Sequence, residues 1–100
     1  MKSIENLANL CEGFNKEKIQ SFYNLLKEKG VIKEFSQLVK DGEEKEDLCN
    51  IMFDTLNDLA DEFYQIYAFA DYVSDNWELP TWRGMERVAE AIVLDIMDNC

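Results

Sequence analysis

The segment EEKEDLCNIMFDTLNDLADEFYQIYAFADYVSDN, residues 43–76, decides the fold predicted for this 100-residue chain, because it contains neither proline nor glycine. Its apolar residues are spaced alternately four and three apart, which is the heptad pattern of an amphipathic helix. These residues are Met52, Leu56, Leu59, Phe63, Ile66, Ala70, Val73 and Trp77. We predict one long helix over residues 43–76, about 50 Å in length, with Trp77 in the core. A break near Ser74 is the alternative.

Three short helices are predicted ahead of this segment, within residues 3–40. Ser3 and Asn15 have side chains that commonly cap a helix N-terminus. The apolar residues after each of them recur with helical spacing, and every run ends close to a glycine, the usual residue just beyond a helix C-terminus. This part of the chain is therefore predicted to be helix and tight turn.

A C-terminal helix is predicted over residues 81–98. Pro80 and Thr81 are typical of a helix start, and we assign Thr81 as the N-cap. The carboxylates of Asp95 and Asp98 fall in its last turn, where helices commonly fray. The predicted fold is thus all-α: a single small helical bundle of about five helices with one long central amphipathic helix, forming one domain over residues 1–100.

The composition argues against most enzyme classes. The chain has no histidine, so it lacks the commonest general base and metal ligand. Its four glycines stand singly, which argues against a glycine-rich phosphate-binding loop. Its three cysteines form no CxxC pair and are odd in number, so neither a zinc site nor a disulfide framework is expected. We predict a protein that is not an enzyme and uses no cofactor or metal.

No signal peptide or membrane span is expected. The first ten residues include Glu5 and Asn6, where the core of a signal peptide would be apolar. No apolar run approaches about 18 residues. Unpaired cysteines suit a reducing compartment, so we predict a cytoplasmic protein that does not bind membranes.

Charge is distributed unevenly along the chain. The net charge of −11 is made up of +2 over residues 1–40 and −13 over residues 41–100. The acidic part repels phosphates, so direct binding to nucleic acid is not expected. It suits a partner with a basic surface, although acidity can also serve solubility alone.

The acidic residues of the predicted long helix form a row on its polar side. Asp54, Asp58 and Asp61 follow one another at intervals of about 5–6 Å along the axis, against about 3.4 Å per nucleotide for the phosphates of a DNA strand. No basic residue follows them at i+4 to relieve their repulsion. The row indicates a rough imitation of nucleic-acid charge; a solvated helix face is the alternative.

Aromatic and cationic residues near this row are further candidates for partner contact. Phe69 and Tyr72 interrupt the polar side of the helix and either anchor a partner or lie under a neighbouring helix. Trp82, Arg83 and Arg87 either contact a partner or clamp the corner before the last helix through pairing and stacking within the chain. The predicted partner-binding residues are Asp54, Asp58, Asp61, Glu62, Phe69, Tyr72, Asp75, Trp82 and Arg83.

In physical type, the chain is similar to small acidic phage-encoded inhibitors, including anti-CRISPR proteins and other DNA mimics, and to immunity proteins. The resemblance assigns no role to any individual residue. The charge of residues 41–100 and the row of aspartates lead us to expect a non-enzymatic inhibitor or regulator that docks an acidic helix face on a basic, nucleic-acid-binding protein.

Two other functions are consistent with the sequence. All-α nucleotide pyrophosphohydrolases bind Mg²⁺ through paired acidic motifs on two helices. The pairs Glu43/Glu46 and Asp58/Asp61 have the required i, i+3 spacing, but both fall on one predicted helix. The other alternative is a structural module that self-associates, as a homodimer for example, through an uncovered part of the apolar stripe.

Overall fold

The computed structural model describes residues 4–100, and these residues form six α-helices and no β-strand. In chain order they are α1 (Glu5–Leu10), α2 (Lys16–Glu28), α3 (Val31–Lys40), α4 (Lys45–Ala60), α5 (Gln65–Trp77) and α6 (Thr81–Asp98). The predicted all-α bundle is confirmed, with one helix more than expected. The cap predicted at Ser3 lies outside the described residues.

The long helix predicted over residues 43–76 is wrong, because the chain turns at residues 61–64 and forms α4 and α5 instead. A continuous helix would span about 50 Å, whereas the Cα atoms extend 35 Å along their longest axis. Asp58 and the two acidic residues that follow α4 also place negative charge at the negative end of the helix dipole, and the last turn of α4 has no basic residue. The break allows both halves to pack against α6.

The central position expected for the long helix belongs to α6, which contacts α1, α3, α4 and α5. Half of its 18 residues are buried. Gly84 faces Ser74 and the carbonyl of Ala70 on α5 so closely that no β-carbon fits at position 84. The Ser74 hydroxyl donates to the carbonyl oxygen of Pro80 at 3.0 Å, which ties the end of α5 to the start of α6.

The predicted apolar stripe is covered at every position except the last. Its earlier members are buried or half-buried, but Trp77 is 57% exposed, so its predicted place in the core is wrong. The crossing of α5 with α6 lies one turn earlier, at Ser74. α5 ends at Trp77 because Glu78 adopts a left-handed conformation, with φ of 55°. The indole therefore lies beyond the crossing point.

Of the two predicted N-caps that lie within the described residues, one is confirmed and one is wrong. The Asn15 side chain caps α2 by accepting hydrogen bonds from the backbone N–H groups of Glu17 at 2.8 Å and Lys18 at 3.3 Å, as predicted. α6 spans the predicted residues, but Pro80 occupies the cap position with an extended backbone, φ −61° and ψ 155°. Thr81 is the first helical residue and its side chain provides no cap.

Asp95 is buried in the bundle and does not lie at a frayed helix end. Its carboxylate accepts hydrogen bonds from the backbone N–H groups of Asn6 at 2.8 Å and Leu7 at 3.0 Å. Burial raises the pKa of Asp95, and these hydrogen bonds partly offset the rise. Asp95 thus caps α1, although it lies 88 residues after Leu7 in the sequence. The N-cap residue of α1 itself provides no side-chain cap.

Candidate partner-binding surface

α4 and the turn that follows it present a row of exposed carboxylates, which we call the acidic face. Its members are Asp47, Asp54, Asp58, Asp61 and Glu62. At 3.6 residues per turn, the four aspartates fall within an arc of about 60°, and Glu62 follows in the turn after the helix. The residues buried against the core lie on the other side of the helix; they are Leu48, Met52, Leu56 and Ala60. The apolar side therefore sets the rotation of α4 and directs the acidic face to solvent.

The carboxylates of the acidic face are not neutralised by basic side chains within the described part of the chain. None of the five forms an ion pair or a side-chain hydrogen bond within residues 4–100. Residues 43–62 contain eight acidic residues and a single lysine, Lys45. Repulsion between i, i+4 neighbours such as Asp54 and Asp58 costs about 0.2–0.5 kcal/mol. Asp75, predicted to extend this row, is also exposed but belongs to α5, on the other side of the break.

Two exposed apolar residues beside these carboxylates were not predicted. Ile51 is 41% exposed and follows Asp47 by four residues, so it lies within the acidic face. The helical spacing that identifies the row of carboxylates would also have identified Ile51. Tyr64, 76% exposed, was missed because the turn that carries it was not predicted. Apolar contacts surrounded by polar groups are the usual anatomy of a protein interface.

Phe69 and Tyr72 are held within the bundle. Phe69 is 2% exposed, and its ring centroid lies 4.7 Å from that of Phe22 and 4.8 Å from that of Phe14. Tyr72 is half-buried and donates its hydroxyl proton to the backbone carbonyl of Glu12 at 2.7 Å. The prediction that Phe69 anchors a partner is wrong, because α2 and the turn before it cover this side of α5.

The aromatic and cationic residues at the start of α6 make contacts within the chain. Trp82 is 59% exposed. Arg83 pairs with Glu86, with 3.0 Å between Nη1 and Oε1. Arg87 lies over the ring of Trp77, not that of Trp82. Both arginines therefore make contacts within the chain, as the alternative to partner contact predicts. The side chains of Trp77, Trp82, Arg83 and Arg87 are nevertheless exposed.

A shallow groove of about 350 Å³ separates α4 from α6 and contains the half-buried thiol of Cys49. Burial raises the pKa of this thiol, and the negative charge of Glu90 raises it further. The thiol is therefore protonated and a poor nucleophile at neutral pH. Within residues 4–100, no group of three acidic or cysteine side chains is arranged to hold a metal ion.

Comparison with protein-family models, curated proteins and solved structures gives no significant match to this chain. None of the helices formed by the described residues combines the length and apolar character needed to cross a membrane. The function is therefore inferred from the geometry and charge of the chain itself.

Proposed function

We propose that this protein is a non-enzymatic inhibitor or regulator that docks its acidic face on the basic, nucleic-acid-binding surface of another protein. The observation that carries the proposal is the row of five exposed carboxylates on α4 and the turn after it, unpaired within residues 4–100, with Ile51 beside them. An approaching lysine or arginine meets these carboxylates without displacing an internal cation. Complementary charge speeds association and selects against acidic partners.

The spacing of the acidic face supports competition with nucleic acid. Asp47, Asp54 and Asp61 lie on one side of the helix at intervals of about 10 Å, and the intervening Asp58 reduces the local spacing to about 5–6 Å. This row of charges presents a negative potential to cations that otherwise contact phosphates. We infer that the partner binds this protein and nucleic acid in a mutually exclusive way.

Capture from bacterial lysate tests the proposal. Immobilised protein is exposed to lysate, eluted on a rising salt gradient, and the eluted proteins are identified by mass spectrometry. We expect nucleic-acid-binding proteins that elute at raised salt, since surface charges are screened within about 10 Å at 0.1 M. Added duplex DNA should displace the same proteins.

Matched charge-reversal variants identify the surface responsible. The variant Asp54→Lys, Asp58→Lys, Asp61→Lys should lose capture while keeping its helical circular-dichroism spectrum. The control variant Glu17→Lys, Glu28→Lys, Glu34→Lys makes the same change in net charge at exposed positions of α2 and α3 and should retain capture. Unchanged capture by the aspartate variant, or equal loss in both variants, would overturn the proposed role of the acidic face.

A further inference from the structure

Trp77 forms a wall of two shallow pockets at the end of α5, and the first contains an arginine of this chain. In this pocket of about 260 Å³, the guanidinium carbon of Arg87 lies 6.0 Å from the centroid of the indole ring. At this distance, a guanidinium over an aromatic face is attracted by the negative potential of the ring. Glu90, one turn further along α6, adds a carboxylate to the same pocket. The first pocket thus combines an indole, the guanidinium that lies over it and a nearby carboxylate.

The second pocket repeats these groups without a cation. It measures about 290 Å³ and is lined by Trp77, Glu12 and Asn76, together with Asn9 and Leu10. The side chains of Glu12 and Asn76 are exposed and form no ion pair or hydrogen bond within residues 4–100. The pocket therefore offers an aromatic surface, a carboxylate and an amide oxygen, but none of its described lining residues is basic.

We propose that this second pocket binds an arginine side chain of a partner protein. The planar guanidinium can stack on Trp77 while donating hydrogen bonds to the Glu12 carboxylate and the Asn76 amide oxygen. The ammonium group of lysine is compact and strongly hydrated, and it cannot combine planar stacking with forked donation. The net charge of −11 of the chain favours the approach of a basic segment. The contact does not involve α4, so it goes beyond docking through the acidic face.

Two-dimensional ¹H–¹⁵N NMR of the indole N–H groups tests this assignment. The chain has two tryptophans, and the variant Trp82→Phe identifies the signal of Trp77. The probe is the peptide acetyl-Gly-Arg-Gly-Arg-Gly-amide, compared with versions that carry lysine or the uncharged isostere citrulline. We expect a saturable shift of the Trp77 signal with the arginine peptide. The Kd of the lysine peptide should be about two- to fivefold higher, and the citrulline peptide should give no saturation.

The variant Glu12→Gln locates the contact in the second pocket. This variant should raise the Kd of the arginine peptide about two- to fivefold. Glu34→Gln makes the same change of net charge at an exposed position of α3 and should bind like the wild type. Equal affinity in these two variants would overturn the assignment, since the peptide would then be bound through the overall charge of the protein or in the first pocket. An equal response to the arginine and citrulline peptides would also overturn it.

Discussion

Asp95, near the end of α6, holds the first turn of α1 through Asn6: its Oδ1 accepts hydrogen bonds from the Asn6 backbone N–H at 2.8 Å and from Nδ2 at 3.0 Å. The second oxygen accepts the backbone N–H of Leu7 at 3.0 Å. α1 has only six residues and no side-chain cap at Ile4, its own N-cap residue, so a distant carboxylate supplies the missing acceptor. One buried side chain thus joins the first turn of α1 to the last turn of α6.

The variant Asp95→Ala should destabilise the protein by about 2–3 kcal/mol, because it removes a helix cap and leaves buried N–H donors without an acceptor. Urea denaturation followed by circular dichroism measures the effect. Asp98→Ala is the control, since Asp98 is exposed and accepts a single hydrogen bond from Asn6 at 2.9 Å. We expect a loss of about 1 kcal/mol or less there. Equal losses would contradict the dominant role of Asp95.

The stability that Asp95 contributes should fall as the pH rises from about 4 towards neutrality. Burial raises the pKa of Asp95 above its ordinary value of 3.8, so the folded state holds this proton more tightly than the unfolded state does. The stability contributed by this group is therefore full below pH 3.8 and is lost as the pH rises through the raised pKa. Repulsion within a chain of net charge −11 acts in the same direction as its carboxylates ionise. Urea midpoints measured from pH 4 to pH 8 give the trend.

Comparison with Asp95→Asn separates this carboxyl from the others, because an amide does not titrate. The stability advantage of the wild type over the variant should be largest near pH 4 and should shrink as the pH rises. An advantage that grows with pH would show the opposite balance, in which the N–H donors of Asn6 and Leu7 stabilise the ionised form more than burial destabilises it.

The variant Gly84→Ala should lower the free energy of unfolding by about 1–3 kcal/mol. A β-carbon at this position would overlap the Ser74 hydroxyl and the backbone carbonyl of Ala70, and a backbone atom cannot move aside without separating α5 from α6. Alanine would otherwise favour an isolated helix over glycine by about 1 kcal/mol. Thermal unfolding decides between these effects: a lower Tm confirms the close crossing, and a higher Tm would contradict it.

The rotation of each helix was predictable, because the spacing of apolar residues is a local property. Met52 and Leu56 are buried as predicted, and Asp54 and Asp58 are consequently exposed. The turn at residues 61–64 was not predictable from this spacing, since the apolar stripe continues through it. The turn instead follows from packing against α6, which is formed by residues distant in sequence.

Contacts between distant segments explain what the sequence did not reveal about the candidate surface. Phe69 is covered by Phe14 and Phe22, so its burial depends on how α2 packs against α5. The pockets at Trp77 depend on the position of α1, which lines both of them with Asn9 and Leu10. Glu12, in the turn after α1, lines the second pocket. The exposure of Asp54 and Asp58 follows from the spacing of residues within one helix and was predicted. Surfaces built from several helices were not predicted.

The exposure of Ile51 beside the acidic face predicts that binding to the captured partner depends on apolar contact as well as charge. The variant Ile51→Ser removes the exposed aliphatic group from the acidic face and leaves every carboxylate in place. We expect the Kd for the purified partner to rise about fivefold, equivalent to about 1 kcal/mol of lost apolar burial. The dependence of Kd on salt should stay unchanged. Because more than half of Ile51 is already buried in the folded protein, the free energy of unfolding should fall by about 1 kcal/mol.

Met97→Ser is the matched control for this prediction, because Met97 is 36% exposed near the end of α6, outside the acidic face. Its Kd should equal that of the wild type. Asp54→Asn should behave differently from Ile51→Ser, since removing one charge contact weakens the salt dependence along with the affinity. If Ile51→Ser and Met97→Ser bind equally well, the acidic face acts through charge alone, and the role assigned to Ile51 is wrong.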